Sequence, residues 1–151
     1  MISVGFCGAL DPALRIGDIV VTGEFREGGD APFVSGEVWS QDRVAVTAEE
    51  KRELRRTTGA AVVEMESAAV AAKAREWGVP FRQVRAVSDA AGDDLPLDFN
   101  RYRDSEGRFS RVRIGFAALA RPLAIPGLIR LDRNCRVASE SLGEFLARCQ
   151  I

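Results

Sequence analysis

The amino-acid sequence predicts an α/β fold, and three stretches carry that expectation. Ala60 to Asp89 (AAVVEMESAAVAAKAREWGVPFRQVRAVSD) reads as strand, helix, strand. Ile2 to Leu10 (ISVGFCGAL) and Ile19 to Phe25 (IVVTGEF) read as two further apolar strands ahead of it. Leu128 to Cys149 carries apolar residues at helical spacing behind it.

Taken in chain order, Ile2 to Leu10 is a buried strand running into a Gly-containing turn. Asp11-Pro12 and Leu14 to Asp18 form a turn and a short connector. Ile19 to Phe25 is a strand, Arg26 to Gly36 a polar Gly-rich loop, and Arg43 to Val46 another short strand. Thr47 is placed to cap a helix, with Glu50 three residues on completing a capping box. That helix runs from Ala48 to about Thr57 and ends at Gly59. Its run from Lys51 to Arg56 reads as a solvated face. Val62 to Met65 is a β-branched strand closed by Glu66 and Ser67. Ser67 to Trp77 is Ala-rich and helical. Gly78 stops it, with Pro80 just beyond. Phe81 to Val87 is the next strand, ending in Ser88-Asp89. A strand-helix-strand unit of this length is expected to be right-handed with parallel strands. Glu66 and Asp89 would then share the carboxyl edge of the sheet, where open α/β sheets bind ligands. Ala90 to Arg108 is a polar loop, either a mobile flap over that edge or a surface connection. Phe109 to Leu119 has helical spacing, interrupted by Pro122 and Pro126. The last helix has a candidate break at Asn134.

Composition narrows the function. A chain of 151 residues is most simply one domain, 1–151. Its 21 Lys and Arg against 22 Asp and Glu leave a net charge of −1, with no electrostatic footprint for nucleic acid. No apolar run reaches the roughly 20 residues of a membrane span, and no secretory leader is recognisable at the start. Cys7, Cys135 and Cys149 are odd in number and lack metal spacing, so they fit a reducing cytoplasm. Cys7 is expected simply to pack. There is no His, which removes Ser-His-Asp and Cys-His nucleophiles and most zinc sites.

The segment VVEMESAAVAAKAREWGVPFRQVRAVSD resembles the nucleoside phosphorylase and nucleosidase family. The Met65-Glu66 pair, the Gly78-Val79-Pro80-Phe81 turn and the Arg85 to Asp89 ending fall in that family's order. Val4 to Leu10, followed by Gly17-Asp18-Ile19-Val20-Val21, is similar to its Gly-rich turn and the strand after it. The wording of Asp11 to Val21 and of Asp42 to Lys51 is similar to the hopanoid-associated phosphorylase branch. The resemblance implies a three-layer fold with a mixed, mostly parallel central sheet flanked by helices, here without the family's first strands. It implies cleavage of the N-glycosidic bond of a purine nucleoside or 5′-modified adenosine, by hydrolysis or by phosphorolysis with phosphate as co-substrate. No metal or organic cofactor is expected, and a homodimer or higher homo-oligomer is.

Roles follow for the matched positions. Glu66 would accept hydrogen bonds from the sugar hydroxyls and Met65 would line the sugar. Asp89 would protonate purine N7, with Ser88 orienting it. Gly5 falls in the Gly-rich turn and Val44, with Asp42, in the base-stacking segment. The chemistry is coherent, because a protonated purine is the better leaving group and a carboxylate beside the ribosyl hydroxyls favours the developing positive charge. An ordinary aspartic acid ionises near pH 4, so an acid role asks for desolvation or a shared proton. Without the resemblance, Glu66 could equally serve a helix dipole and Asp89 a turn. Glu64 reads as structural and paired with Arg85, itself an ion-pair partner.

Two departures matter. The strands that carry the family's early phosphate loop precede this chain's first matched block. Phe6 stands where members often place Ser or Thr against the nucleophile, and a phenyl ring cannot donate a hydrogen bond. The chain therefore supports two readings, a glycosidic-bond enzyme or a non-catalytic nucleoside-binding or assembly protein that has lost the nucleophile half of the site. The loss would leave an open sheet edge.

Overall fold

The structure is a computed structural model that describes residues 1–23, 32–103 and 120–148, with 114 and 116 between them. Its centre is a six-stranded sheet. β1 is Ile2–Ala9, β2 Ile19–Thr22, β3 Val34–Ser35, β4 Val38–Ser40, β5 Val62–Glu64 and β6 Arg82–Asp89. Their order across the sheet is β3-β2-β6-β1-β5-β4. Three of the five pairings are parallel (β1 with β6, β2 with β3, β4 with β5) and two antiparallel (β1 with β5, β2 with β6). The sheet is thus mixed and mostly parallel, as the resemblance implied.

β1 and β6 form its spine. They pair from Ile2 opposite Arg82 to Cys7 opposite Val87, then slip so that Gly8 faces Asp89. Alternating residues serve opposite faces. Ile19, Val21, Val84 and Ala86 pack against Ala138 and Phe145 of α3 (Ile125–Arg148). Cys7, Ala9, Val20, Val62 and Val87 form a second cluster with Leu14. Cys7 packs as expected. α3 is continuous through Asn134, and Pro126 falls in its first turn, where a missing N–H costs no helical bond.

α1 (Ala48–Thr58) begins and ends where the sequence placed it. Thr47 Oγ1 accepts from Glu50 N at 3.1 Å, a cap worth about 1 kcal/mol. Glu50 Oε2 reaches back to Val46 N at 2.8 Å. Gly59 closes the helix at φ +71°, a left-handed conformation natural to glycine. α2 (Ser67–Glu76) is largely exposed, with Ser67 and Ala74 buried. Among the described residues no helix is long and apolar enough to cross a membrane.

Three expectations are corrected. β5 and β6 are not parallel, since β1 lies between them, parallel to β6 and antiparallel to β5. The crossover rule holds for strands that prove parallel, but a buried three-residue strand, Val62-Val63-Glu64, satisfies its pattern in either direction. Here direction is decided by long-range bonds, including those from Leu10 N and Asp11 N to Ala61 O at 2.8 and 2.9 Å. Second, Arg43–Val46 is not a strand; the pairing segment is Val38–Ser40, beside β5. Third, part of the expected loop forms β3. Residues 24–31, most of 109–119 and the end of the Ala90–Arg108 loop lie outside the described residues. Along β1, β5 reaches only Gly8 and Ala9, so among the described residues the neighbouring edge of β1 is open where Val4 and Phe6 are exposed.

Candidate active site

Asp89 closes β6 beside the slipped register at Gly8. The close approach there needs a glycine, because a Cβ on Gly8 would stand 2.8 Å from Asp89 Oδ2. Only glycine leaves the carboxylate room. Oδ2 is met by Lys51 Nζ at 2.5 Å, and the Lys51 side chain has no exposure at all. The same ammonium donates to Ala90 O at 2.8 Å and Asp93 O at 3.1 Å. Lys51 therefore corrects the reading of its helix as a solvated face. Its neighbour Arg55 is also engaged, donating to Asp11 Oδ2 at 2.6 Å. Ser88 Oγ lies 3.1 Å from Asp89 Oδ1 and 3.2 Å from Cys7 O. Its single hydrogen can serve either acceptor.

Glu64 is the structural carboxylate. Arg85 Nη2 donates to Glu64 Oε2 at 2.8 Å and to Ser3 Oγ at 2.7 Å, with both ion-pair side chains buried. Glu64 also accepts from Glu66 N (2.9 Å), Ser67 N (2.9 Å) and Ser67 Oγ (2.6 Å). Burial pushes its carboxyl up, but the hydrogen bonds from Ser40, Ser67 and the two backbone N–H groups outweigh it and bring it to about 2. Glu64 thus caps α2, a duty that Glu66 was a candidate for. Glu66 is the N-cap residue, yet its side chain makes no capping bond. Desolvation, and then the Glu64 carboxylate, push the Glu66 carboxyl upward.

The segment Arg43–Val46 forms a third side. It is pinned by the stretch after β6. Asn100 Oδ1 accepts from Val44 N at 2.8 Å and its Nδ2 donates to Val44 O at 3.0 Å. Leu95 N bonds Val46 O at 2.8 Å, and Asp94 Oδ1 accepts from Ala48 N at 2.7 Å. The described part of the Ala90–Arg108 loop is therefore a strap tied to the site.

These parts enclose a cavity of about 240 Å³, just under the usual small-molecule range of about 300–1,000 Å³. Its lining includes Val44, Met65, Glu66, Ser88 and Asp89, five of the six residues singled out from the sequence, together with Phe6 and Gly8. Gly5 is not in that lining; a Cβ there would stand 3.1 Å from Arg85 Nη1. Cys7 also borders the cavity, but burial and then Asp89 push its thiol up, away from nucleophilic chemistry. A second cavity of about 250 Å³ lies between Phe33 and the end of α3 and holds none of these residues.

Sequence reasoning missed Lys51, Gly8 and Asn100. One signal for Lys51 was present. Leu54 is the one large apolar residue of α1, so it marks the buried face, and Lys51 sits one turn before it on that face. Nothing local marked Asn100, whose partner is 56 residues away. The arrangement offers one carboxylate for hydroxyls, a second held in place by a buried ammonium, and an open wall between them.

The sequence pattern of the Phosphorylase superfamily matches residues 24–113. A 5′-methylthioadenosine/S-adenosylhomocysteine nucleosidase from Tolumonas auensis is 27% identical over 153 residues, covering 76% of this chain and 66% of that protein. The crystal structure of such a nucleosidase from Colwellia psychrerythraea, in complex with adenine, aligns with TM-score 0.53 at 25% identity, covering 67% of this chain and 58% of that one. A Helicobacter pylori nucleosidase of the same name covers 97% of this chain and 65% of its own, with TM-score 0.62; at 18% identity it attests the fold alone. The chain spans less than two-thirds of the length of each.

Proposed function

Since the chain belongs to the phosphorylase superfamily, we propose that it cleaves the N-glycosidic bond of a purine nucleoside or 5′-modified adenosine, with water as the nucleophile. The observation that carries the reading is that Glu66 and Asp89 line one cavity beside the Arg43–Val46 wall. The nucleosidase names of the relatives support hydrolysis over phosphorolysis.

In this reading the base lies against Val44 with N7 toward Asp89, and the ribose lies between Met65 and Glu66. As the bond breaks, positive charge develops on the sugar and negative charge on the base. Glu66 accepts from the sugar hydroxyls and steadies the first. A proton relayed to the base through Asp89 Oδ1, made good by the one the attacking water gives up, neutralises the second, a contribution of about 10²–10⁴-fold. Ser88 suits both states of that oxygen. Its hydroxyl donates to Oδ1 when the oxygen is charged and turns to Cys7 O when it is protonated. We further read the protein as cytoplasmic and as a homodimer or higher oligomer. The free thiols of Cys7 and Cys135 and the open β1 edge support these two points.

The test is base release from a panel of purine nucleosides, with and without phosphate. Phosphate-independent release is expected, and Asp89→Asn should slow it by about 10²-fold or more. No release from any nucleoside by folded protein would refute the reading. A non-catalytic binding role is favoured by one observation, the half-exposed Phe6 ring in the cavity lining. Calorimetric binding of adenine without turnover would establish that alternative.

A further inference from the structure

We infer that Lys51 is the positioning residue of this site, deciding which oxygen of Asp89 is free to meet a base. The inference rests on the proposed role of Asp89. A primary ammonium has three N–H donors, and all three are committed, to Asp89 Oδ2, Ala90 O and Asp93 O. The head group has no exposure to solvent, so it cannot turn without stranding a buried donor. Oδ2 is therefore occupied, and it lies close enough to Gly8 that a Cβ there would stand 2.8 Å away. Among the described residues Oδ1 has only the adaptable hydroxyl of Ser88 as a hydrogen-bond partner, so Oδ1 is the oxygen offered to a ligand.

Stability is a weak reason for a lysine here. Replacing a buried ion pair by apolar side chains of the same shape is often neutral or stabilising. What the ammonium supplies is geometry. Asp89 sits where a strand runs out into a loop, and Lys51 ties that point to the first turns of α1. The start of α1 is held by Asp94 at Ala48 N, and the segment just before it by Leu95 at Val46 O. The carboxylate is thus referenced to a capped helix and to the Arg43–Val46 wall together.

The experiment is a double-mutant cycle of Lys51→Met and Asp89→Asn in the whole chain, with Leu54→Ala as a packing control on the same helix face. Lys51→Met should lower kcat for base release about 10²-fold and leave KM within about threefold, the pattern of an interaction that matters in the transition state. In the Asp89→Asn background the same change should cost less than about twofold. Leu54→Ala should leave kcat per folded molecule unchanged. Equal fractional losses in both backgrounds would overturn the inference, because Lys51 would then act independently of Asp89. If the Met variant does not fold, Lys51→Gln, which keeps a donor without the charge, takes its place. If wild-type protein binds adenine but releases no base, the proposed activity fails alone. The cycle is then read in adenine affinity, with a loss of tenfold or more expected for Lys51→Met only when Asp89 is present. A chain that neither cleaves nor binds overturns both.

Discussion

Gly8→Ala tests the geometry of the site by the sign of a stability change. In a strand, alanine is ordinarily better than glycine by roughly 0.5–1 kcal/mol, because glycine loses more backbone freedom on folding. Here the added Cβ would lie 2.8 Å from Asp89 Oδ2, against ordinary contact beginning at 3.4 Å, and 3.4 Å from Asp89 Cγ. The oxygen must therefore retreat by about half an ångström. An unrestrained carboxylate would rotate away at little cost. This one is bound to Lys51 Nζ at 2.5 Å, and that nitrogen is tied to two carbonyls. Overpacking of this kind costs about 1–3 kcal/mol, and complete loss of the partner of a buried charge about 3–5 kcal/mol. We expect net destabilisation of about 1–3 kcal/mol in urea unfolding. We also expect roughly 10²-fold slower base release, the usual cost of a misplaced catalytic group. Gly143→Ala is the contrast. Its Cβ meets nothing within 4 Å inside α3, so it should stabilise by about 1 kcal/mol. A Gly8→Ala protein as stable as wild type, or more so, would refute the tight packing of Gly8 against a fixed Asp89.

Two further outcomes follow from the site's polar network. The Glu64 carboxyl sits at about 2 in the folded chain, below its free value near 4.3. Its contribution of roughly 3 kcal/mol is thus complete above about pH 4.3 and is lost as the pH falls toward 2. Denaturant midpoints of wild type should drop across that window, and those of Glu64→Gln, lower at neutral pH, should drop less; parallel pH curves would rule this out. Asn100→Ala removes two hydrogen bonds to the Val44 backbone, each worth about 0.5–1.5 kcal/mol net. Adenine affinity measured by calorimetry should fall about tenfold as the wall loosens, and an unchanged affinity would detach that wall from base binding.

Much of the site was legible because its residues sit at element ends that announce themselves locally. Glu66 follows a short β-branched run and Asp89 ends a longer strand, and Val44 and Met65 stand in a recognisable order with them. The Glu64–Arg85 pair could be anticipated from two opposite charges in strands that must both be buried. Their convergence, however, was argued from parallel strands, and β5 in fact runs antiparallel to its neighbour β1. The two acids still line one cavity because β5 is three residues long and stops beside the last residues of β1. Gly5 was singled out for its motif. The glycine with a steric task at the carboxylate is Gly8, three residues on.

What the chain's local chemistry settled by itself is the bounds of α1 and the apolar runs that become β1, β2, β5 and β6. Thr47 and Glu50 start α1, Gly59 ends it, and the valine runs pair, because caps and side-chain periodicity act over three or four residues. What only the tertiary structure decided is the direction of β5, the choice of Val38–Ser40 over Arg43–Val46 as a strand, and the burial of Lys51. Each depends on hydrogen-bond partners roughly 20 to 60 residues distant. A short apolar run or a lysine on a charged helix has the same local pattern whether or not such a partner arrives.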